Sequence, residues 1–163
     1  MGHNISAIIA GAEIAEAFAE VADAPPPTEL PFGLGIVPLS DRQFDRITDL
    51  KPGPYVDGFA YLSARLTAAL TTASRKGPVV YIETEYFGGT GSQAGAAFVE
   101  GELVLAEHHV DMRDSHRRDG PINKALRLLG VSASGDRDEF DTLGLARFRD
   151  VAALGIEYRD DQA

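Results

Sequence analysis

The sequence predicts an α+β protein with a largely antiparallel central sheet of about five strands and helices packed on that sheet. Segments rich in β-branched and aromatic residues alternate with segments whose apolar residues recur at helical spacing. Between residues 79 and 108, three strand-like segments follow one another without a helix, which favours antiparallel pairing. The hydrophobic fraction of 44% and the charged fraction of 25% are those of an ordinary globular protein, so we expect one domain over residues 1–163.

The first third of the chain predicts two strands and two helices on either side of a proline-rich connector. The predicted elements are a strand at residues 5–10, a helix at 12–22, a strand at 32–39 and a short helix that Ser40, followed by Asp41, can cap. Pro25, Pro26 and Pro27 end the first helix because proline donates no backbone hydrogen bond and restricts the residue before it. We therefore expect a stiff, extended connector at residues 24–31.

The middle third predicts the longest helix and the strongest strand. Asp57 can cap a helix over residues 58–74. The apolar stripe of this helix consists of Phe59, Leu62, Leu66 and Leu70. Residues 79–87 are rich in β-branched and aromatic side chains and predict a central strand. Residues 96–99 and 103–108 predict a hairpin that turns at residues 100–102.

The last third predicts a loop and two helices. Residues 110–120 are charged and predict a loop, after which Pro121 favours entry into a helix over residues 122–129 that ends at Gly130. A second helix is predicted over residues 138–151, with an interruption at Gly144.

Charge and composition exclude several classes of function. The formal net charge of −10 repels phosphate backbones and anionic membrane surfaces, so nucleic acid is not an expected partner. The longest apolar runs are far shorter than the ~20 residues that cross a bilayer, so we expect no membrane span. The absence of cysteine excludes disulfides and thiolate metal sites, and together with the lack of a secretory signal it predicts a cytoplasmic protein.

A glycine-rich segment at residues 88–95 directly follows the predicted central strand. One interpretation is that successive backbone amides form a nest for an anionic ligand. The candidate ligand-binding residues are Gly88, Gly89, Gly91, Ser92 and Gln93. Residues 89–94 even satisfy the relaxed dinucleotide-binding fingerprint, but that fingerprint needs a helix directly afterwards, whereas the residues after 95 favour a strand. We therefore favour a glycine-rich connection between strands, and no cofactor is expected.

Acidic side chains and a histidine on two predicted strands suggest a second candidate site. Alternation along the strands places Glu83 and Glu85 on one face of the first strand, and Glu107 and His109 on one face of the second. If these faces adjoin, the four side chains could hold a divalent metal ion. The alternative is a solvated sheet face whose carboxylates point to water, and the sequence favours this alternative.

No familiar catalytic motif completes either site. The chain contains neither a G-x-S-x-G elbow nor an H-E-x-x-H metal helix, so no catalytic residue is assigned. His108 and His109 point to opposite faces of a regular strand and cannot act as neighbouring ligands. His3 is expected in a terminal position.

Three segments resemble a poorly characterised group of small bacterial proteins. They are the start Gly2-His3-Asn4, the Y-F-G-G-x-G-x-Q segment at residues 86–93 and the D-E-F-D-x-L-G-L stretch at residues 138–145. The resemblance spans most of the chain and implies a bacterial protein, but it brings no activity with it. Small acidic proteins of this character are similar to immunity proteins, which neutralise a toxin.

The leading hypothesis from the sequence is a non-catalytic acidic binding protein of the toxin-neutralising immunity type. Its partner would be a basic protein, because an acidic surface speeds association with a basic one. The alternative is a small-molecule- or metal-dependent enzyme that uses residues 88–95 and the nearby carboxylates. A third hypothesis is a subunit of a homo-oligomer.

Overall fold

The computed structural model describes residues 2–87, 90–110 and 119–156, in which six strands form one antiparallel sheet in the order β2-β3-β1-β4-β5-β6. The strands are β1 (His3–Gly11), β2 (Thr28–Leu30), β3 (Leu34–Pro38), β4 (Val79–Phe87), β5 (Thr90–Val99) and β6 (Glu102–His109). The predicted α+β class with an antiparallel sheet is confirmed. The sheet has one strand more than expected because β2, which lies within the predicted connector, pairs with β3.

Helices cover both faces of the sheet. Helices α1 (Ala12–Ala22), α2 (Asp41–Thr48) and α3 (Ala64–Ala73) pack on one face, and α4 (Pro121–Leu128) and α5 (Glu139–Thr142) pack on the other. We call these the α1–α3 face and the α4–α5 face. Strands β1 and β4 lie in the middle of the sheet, and their residues 5–10 and 79–82 are buried on both sides. This burial explains why residues 5–10 and 79–82 are nearly continuous apolar runs.

Each face has its own hydrophobic core. Alternation along β4 sends Tyr81 to the α1–α3 face and Ile82 to the α4–α5 face. The helix side chains buried on the α1–α3 face include Phe18, Leu66 and Leu70. Those buried on the α4–α5 face include Ile122, Leu126 and Phe140.

A two-residue turn and a bulge determine the register of the β5–β6 hairpin. Glu100 (φ 51°) and Gly101 (φ 81°) both have positive φ, as a type I′ turn requires. Phe98 pairs with Leu103, but the preceding residue of β5, Ala97, pairs with Leu105. Residue 104 is therefore an extra residue in β6. The bulge turns every later side chain of β6 to the face opposite to the one it would have in a regular hairpin.

The helix predicted over residues 58–74 begins later than expected. Helix α3 is capped by Ser63, whose Oγ accepts a hydrogen bond from the N–H of Leu66 at 3.2 Å. Phe59 and Leu62 are buried, as the predicted stripe requires, but they lie in the loop before the helix. Backbone N–H groups of this loop are bound to Glu83 of the sheet, and this tertiary contact replaces the predicted first turns.

Two other predicted elements are shorter in the structure. The predicted helix over residues 138–151 is reduced to α5, because the chain turns at Gly144 (φ 71°) and continues in 3₁₀ turns at Leu145–Arg147 and Val151–Leu154. The strand predicted from residue 32 begins at Leu34, since Phe32 (φ 67°) and Gly33 (φ 70°) have positive φ. Most of the predicted loop at 110–120 lies outside the described residues. Over the described ranges, no helix combines the length and the apolar character that a bilayer span needs.

Candidate functional site

A polar cleft of about 370 Å³ opens on the α1–α3 face. It is lined by parts of β1, β4, β5 and β6 and by the loop at residues 58–61, which precedes α3. We call it the polar cleft. Its lining includes Glu83, Glu85 and His109 of the predicted metal site, and Ser92 and Gln93 of the glycine-rich segment.

Glu83 fixes the loop that borders the polar cleft. Its Oε1 accepts a hydrogen bond from the N–H of Ala60 at 2.7 Å, and its Oε2 accepts one from the N–H of Tyr61 at 2.9 Å. The buried Tyr81 hydroxyl also donates to Oε2, at 2.6 Å. Burial raises the pKa of Tyr81 well above its ordinary value, and the charge of Glu83 raises this pKa further. Both oxygens of Glu83 are therefore used to position the loop, which leaves the carboxylate in a structural role.

Gly58 brings the same loop against His108 of β6. A Cβ at Gly58 would lie 1.9 Å from Nδ1 of His108, and Gly58 has a φ of +82°. The positive φ favours glycine here, and a side chain at this position would displace the exposed His108 ring. His108 lies opposite Ala94, which lies opposite Glu83, so His108 shares the face of the cleft.

Three cleft residues carry polar groups that the fold does not use. Asn4, Glu85 and Ser92 lie in one row across β1, β4 and β5. Within the described residues, their side chains make no hydrogen bond or ion pair. Glu85 and His108 are on strands separated by β5 and are offset by two residues along the sheet, so their backbones lie about 12 Å apart. The cleft can therefore bind a small polar group, but it does not hold a hydrogen-bonded acid–base pair.

The predicted metal residues Glu107 and His109 lie on the α4–α5 face, opposite to Glu83 and Glu85. The reason is the bulge at Val104. Without it, the two-residue turn would place Glu107 and His109 on the face of the two β4 glutamates. The structure thus does not bring the four residues together. In the part of the chain that is described, no group of three or more His, Asp or Glu side chains is placed to hold a metal ion.

Both displaced residues have other contacts. Glu107 forms an ion pair with Lys124 of α4, with 3.0 Å between Oε2 and Nζ. His109 donates from Nδ1 to the carbonyl oxygen of Val110 at 2.7 Å, and it also borders the polar cleft at the end of β6. Glu107 therefore helps to hold α4 on the sheet.

The glycine-rich segment belongs largely to a β-hairpin. Strands β4 and β5 form a continuous antiparallel pair. Val79 pairs with Phe98 at one end, and Phe87 pairs with Thr90 at the other. The predicted ligand residues Gly88 and Gly89 lie outside the described residues. From residue 90 onward the chain is a strand, where a dinucleotide site would need a helix.

Close contacts account for two glycines of β5. A Cβ at Gly91 would lie 2.1 Å from the carbonyl oxygen of Glu85 on the neighbouring strand. A Cβ at Gly95 would lie 2.7 Å from the carbonyl oxygen of Pro121, at the start of α4. Glycine at these positions lets another part of the backbone come close, which is a packing role.

Gln93 connects the sheet to α4. The residue is 6% exposed, and its Oε1 accepts a hydrogen bond from the N–H of Ile122 at 2.9 Å, while its Nε2 donates to the hydroxyl of Tyr86. The N–H of Ile122 lies in the first turn of α4, where backbone donors have no partner within the helix. The predicted ligand residue Gln93 thus makes structural contacts.

His3 is a buried residue that the sequence placed in a terminal position. Its Nε2 donates to the carbonyl oxygen of Leu145 at 2.9 Å, and its Nδ1 lies 2.7 Å from Oγ1 of Thr84. The N–H of Ile5 donates to the same Oγ1, so the Thr84 hydroxyl can donate to Nδ1. The ring also packs edge-on against Phe140, with 5.4 Å between centroids.

Asn123 extends these contacts to the 138–145 segment. Its Oδ1 accepts a hydrogen bond from the N–H of Phe140 at 2.9 Å, and its Nδ2 donates to Asp138 at 3.1 Å. Asp138 in turn caps α5 by accepting from the N–H of Asp141 at 2.8 Å. Sequence reasoning did not identify Asn123. The sequence signal that could have led to Asn123 is the resemblance of two segments to the bacterial group named above. One segment contains His3 and the other contains Asp138, and the two segments meet here in the core.

An apolar groove of about 730 Å³ lies between α1 and α3. We call it the α1–α3 groove. Its apolar lining includes Ile14, Ala17, Phe18 and Val21 from α1 and Ala69 and Ala73 from α3. Val21 is 62% exposed, although its helix packs on the sheet. The groove is therefore a surface on which apolar side chains remain in contact with water.

Three glutamates run along α1 beside this groove. Glu13, Glu16 and Glu20 are exposed and follow the spacing i, i+3, i+7, so they form one stripe along the helix. We call them the glutamate stripe. None of the three has an ion-pair partner among the described residues.

Comparison with known proteins gives no relative: no family model, no curated protein and no solved structure matches this chain.

Proposed function

We propose that the protein is a non-catalytic acidic binding protein whose partner is a basic protein, in the manner of a toxin-neutralising immunity protein. The observation that carries this proposal is the glutamate stripe. Acidic side chains that contribute to the fold have partners, such as Glu139 with Arg127 at 2.7 Å. The three glutamates of the stripe are exposed and unpaired within the described residues.

Repulsion between the glutamates of the stripe is unfavourable in the isolated chain, and a basic partner would relieve it. Like charges three or four residues apart on a helix destabilise it by about 0.2–0.5 kcal/mol per pair. Lys and Arg side chains of a partner would replace this repulsion between glutamates with attraction. Long-range attraction would also speed association. Nucleolytic toxins are typical basic partners, because their substrates are anionic.

Affinity capture from the native host tests the proposal. Tagged protein is immobilised, exposed to host lysate and washed with increasing NaCl, and the eluted proteins are identified by mass spectrometry. We expect a basic protein that elutes with salt and is lost with the triple variant Glu13→Gln, Glu16→Gln, Glu20→Gln.

A matched variant controls for net charge in this experiment. Glu29→Gln, Glu100→Gln and Glu102→Gln remove the same charge at exposed positions on other elements. This control is expected to retain the partner. Capture of no basic protein, or equal loss with both triple variants, would contradict the proposal.

The alternative, a small-molecule- or metal-dependent enzyme, has less support. Gly91 and Gly95 have packing roles, and Glu107 is paired with Lys124 on the other face. The polar cleft with Glu85 remains as a candidate ligand site for this alternative. A rise in melting temperature with a nucleotide or divalent metal that Glu85→Ala abolishes would favour the enzyme.

A homo-oligomer is a second candidate, and the edge strand β6 is the observation that favours it. Its outer side pairs with no described strand, Leu103 and Val104 are exposed on it, and Val110 is exposed directly after it. Unpaired apolar edges can pair with another chain. A melting temperature that rises with protein concentration, and does not do so in Val104→Lys, would support this candidate.

A further inference from the structure

We infer that the α1–α3 groove is the docking site for an amphipathic helix of the basic partner, whose apolar side chains enter the groove while its Lys and Arg side chains lie over the glutamate stripe. This inference rests on the proposed function and specifies the surface and the chemistry of recognition.

Two parallel stripes on α1 create this surface. Ile14, Ala17 and Val21 repeat the spacing of the glutamate stripe, displaced by one residue. One residue corresponds to about 100° around the helix, so the apolar stripe faces the groove and the glutamates lie beside it. A partner that matches both stripes needs an apolar and a basic stripe side by side, which is the pattern of a basic amphipathic helix.

The dimensions of the groove suit a helix of about three turns. The 11 residues of α1 span about 16 Å, and the groove follows the helix from Ala12 to Val21. The small side chains Ala17, Ala69 and Ala73 allow a third helix to approach closely. Packed helices have axes about 8–10 Å apart, and small residues favour the lower end of that range.

Charge argues for a basic partner over a second copy of the chain. A second copy of the chain also carries a net charge of −10, and its α1 contains no Lys or Arg that could lie over the glutamate stripe. Within the described lining, Lys76 is the basic residue and Glu13 the acidic one. Lys76 should therefore weaken the binding of a cationic helix. Removing its charge should strengthen binding, whereas removing the charge of a stripe glutamate should weaken it.

Fluorescence anisotropy with defined peptides tests the inference. The probe is a labelled 14-residue amphipathic peptide of Leu and Lys, measured at low and high NaCl. The controls are a peptide of the same composition with a scrambled pattern and an amphipathic peptide of Leu and Glu. We expect the protein to bind the Leu/Lys helix at least about tenfold more tightly than either control peptide.

Variants separate the groove from the stripe. Ala17→Phe fills the groove without changing charge, and Val21→Asn removes an exposed apolar contact, so a fold defect in one does not remove the test. Each is expected to weaken binding of the Leu/Lys peptide at least about fivefold, with an unchanged circular dichroism spectrum. Lys76→Gln is expected to strengthen it about two- to threefold.

The outcomes distinguish this inference from the proposed function. If both groove variants bind the Leu/Lys peptide like the native protein while the stripe variant binds it weakly, the docking site is wrong but an acidic binding surface remains. If the native protein binds the scrambled peptide equally well, the helix is not recognised and the inference is overturned. If the native protein binds neither basic peptide at low salt, the inference fails and the proposed function loses its electrostatic basis.

Discussion

Oε1 of Gln93 lies 2.9 Å from the backbone nitrogen of Ile122 and binds the first turn of α4 to the sheet. Gln93→Leu removes this acceptor and leaves a buried N–H without a partner, so the free energy of unfolding should fall by about 1–3 kcal/mol. Urea denaturation measures the change. The control Ser92→Ala, on the opposite face, should stay within about 0.5 kcal/mol of the native protein. A Gln93→Leu protein as stable as the native one would show that α4 is held by other contacts.

Gly95 is expected to be intolerant of a side chain. In Gly95→Ala the new methyl group would lie 2.7 Å from the carbonyl oxygen of Pro121, so α4 must shift and stability should fall by about 1–3 kcal/mol. Gly11→Ala is the matched control, since Gly11 has a φ of −54° and no atom within 4 Å of the new methyl group. Thermal unfolding should place the control at or above the native protein. Equal melting temperatures of the two variants would disprove the packing role of Gly95.

The loop beside the polar cleft should become mobile when Glu83 loses its charge. In Glu83→Gln a neutral amide replaces a carboxylate that accepts from Ala60, Tyr61 and Tyr81. The amide protons of residues 60 and 61 should exchange with solvent at least about tenfold faster, as hydrogen-exchange mass spectrometry or NMR can measure. Glu85→Gln has no such contact to lose, and its exchange rates should match the native protein. Unchanged exchange in Glu83→Gln would mean that the loop is held in another way.

Stability should decrease at alkaline pH because of Tyr81. Its pKa is raised above the ordinary value of 10.0, chiefly by burial and then by Glu83, so Tyr81 keeps its proton in the folded protein when the unfolded chain ionises. The stabilisation is fully present below about pH 10 and is lost as the pH rises further, by up to about 1.4 kcal/mol per pH unit. Urea denaturation from about pH 9 to 11 measures this slope.

Two phenylalanine variants test whether Tyr81 causes the loss of stability at alkaline pH. Tyr81→Phe should flatten it, while Tyr55→Phe, at an exposed tyrosine, should retain it. Identical slopes in the native protein and Tyr81→Phe would exclude Tyr81 as the cause.

Local sequence signals predicted some elements residue for residue. The helix over residues 12–22 and the strand over residues 79–87 agree with α1 and β4, because strong periodicity and a proline stop define one, and a β-branched apolar run defines the other. The first turns of the predicted helix at residues 58–63 are replaced by a loop, in which Gly58 has a positive φ and the N–H of Val56 donates to the carbonyl oxygen of Leu62. Glu83, more than twenty residues away, binds two N–H groups of this loop. A partner so distant in sequence leaves no local signal. Strand β2 was missed because it has three residues and depends on β3 for pairing.

The candidate site illustrates the same limit. Alternation correctly separates His108 from His109, but it does not reveal which of them shares the face of Glu83. That choice depends on one extra residue, Val104, whose side chain gives no sign of a bulge. The α1–α3 groove could not be predicted either. The sequence predicts that α1 is amphipathic, but the distance between α1 and α3 depends on tertiary packing.

The salt dependence of partner binding tests the central claim most directly. Once the basic partner is captured, its dissociation constant is measured by titration calorimetry over a series of NaCl concentrations, for the native protein and for Glu13→Gln, Glu16→Gln, Glu20→Gln. We expect binding by the native protein to weaken steeply with salt, and the triple variant to bind at least about tenfold more weakly at low salt with a flatter dependence. Equal affinity and equal salt dependence of the two proteins would contradict the assignment of the glutamate stripe as the binding surface.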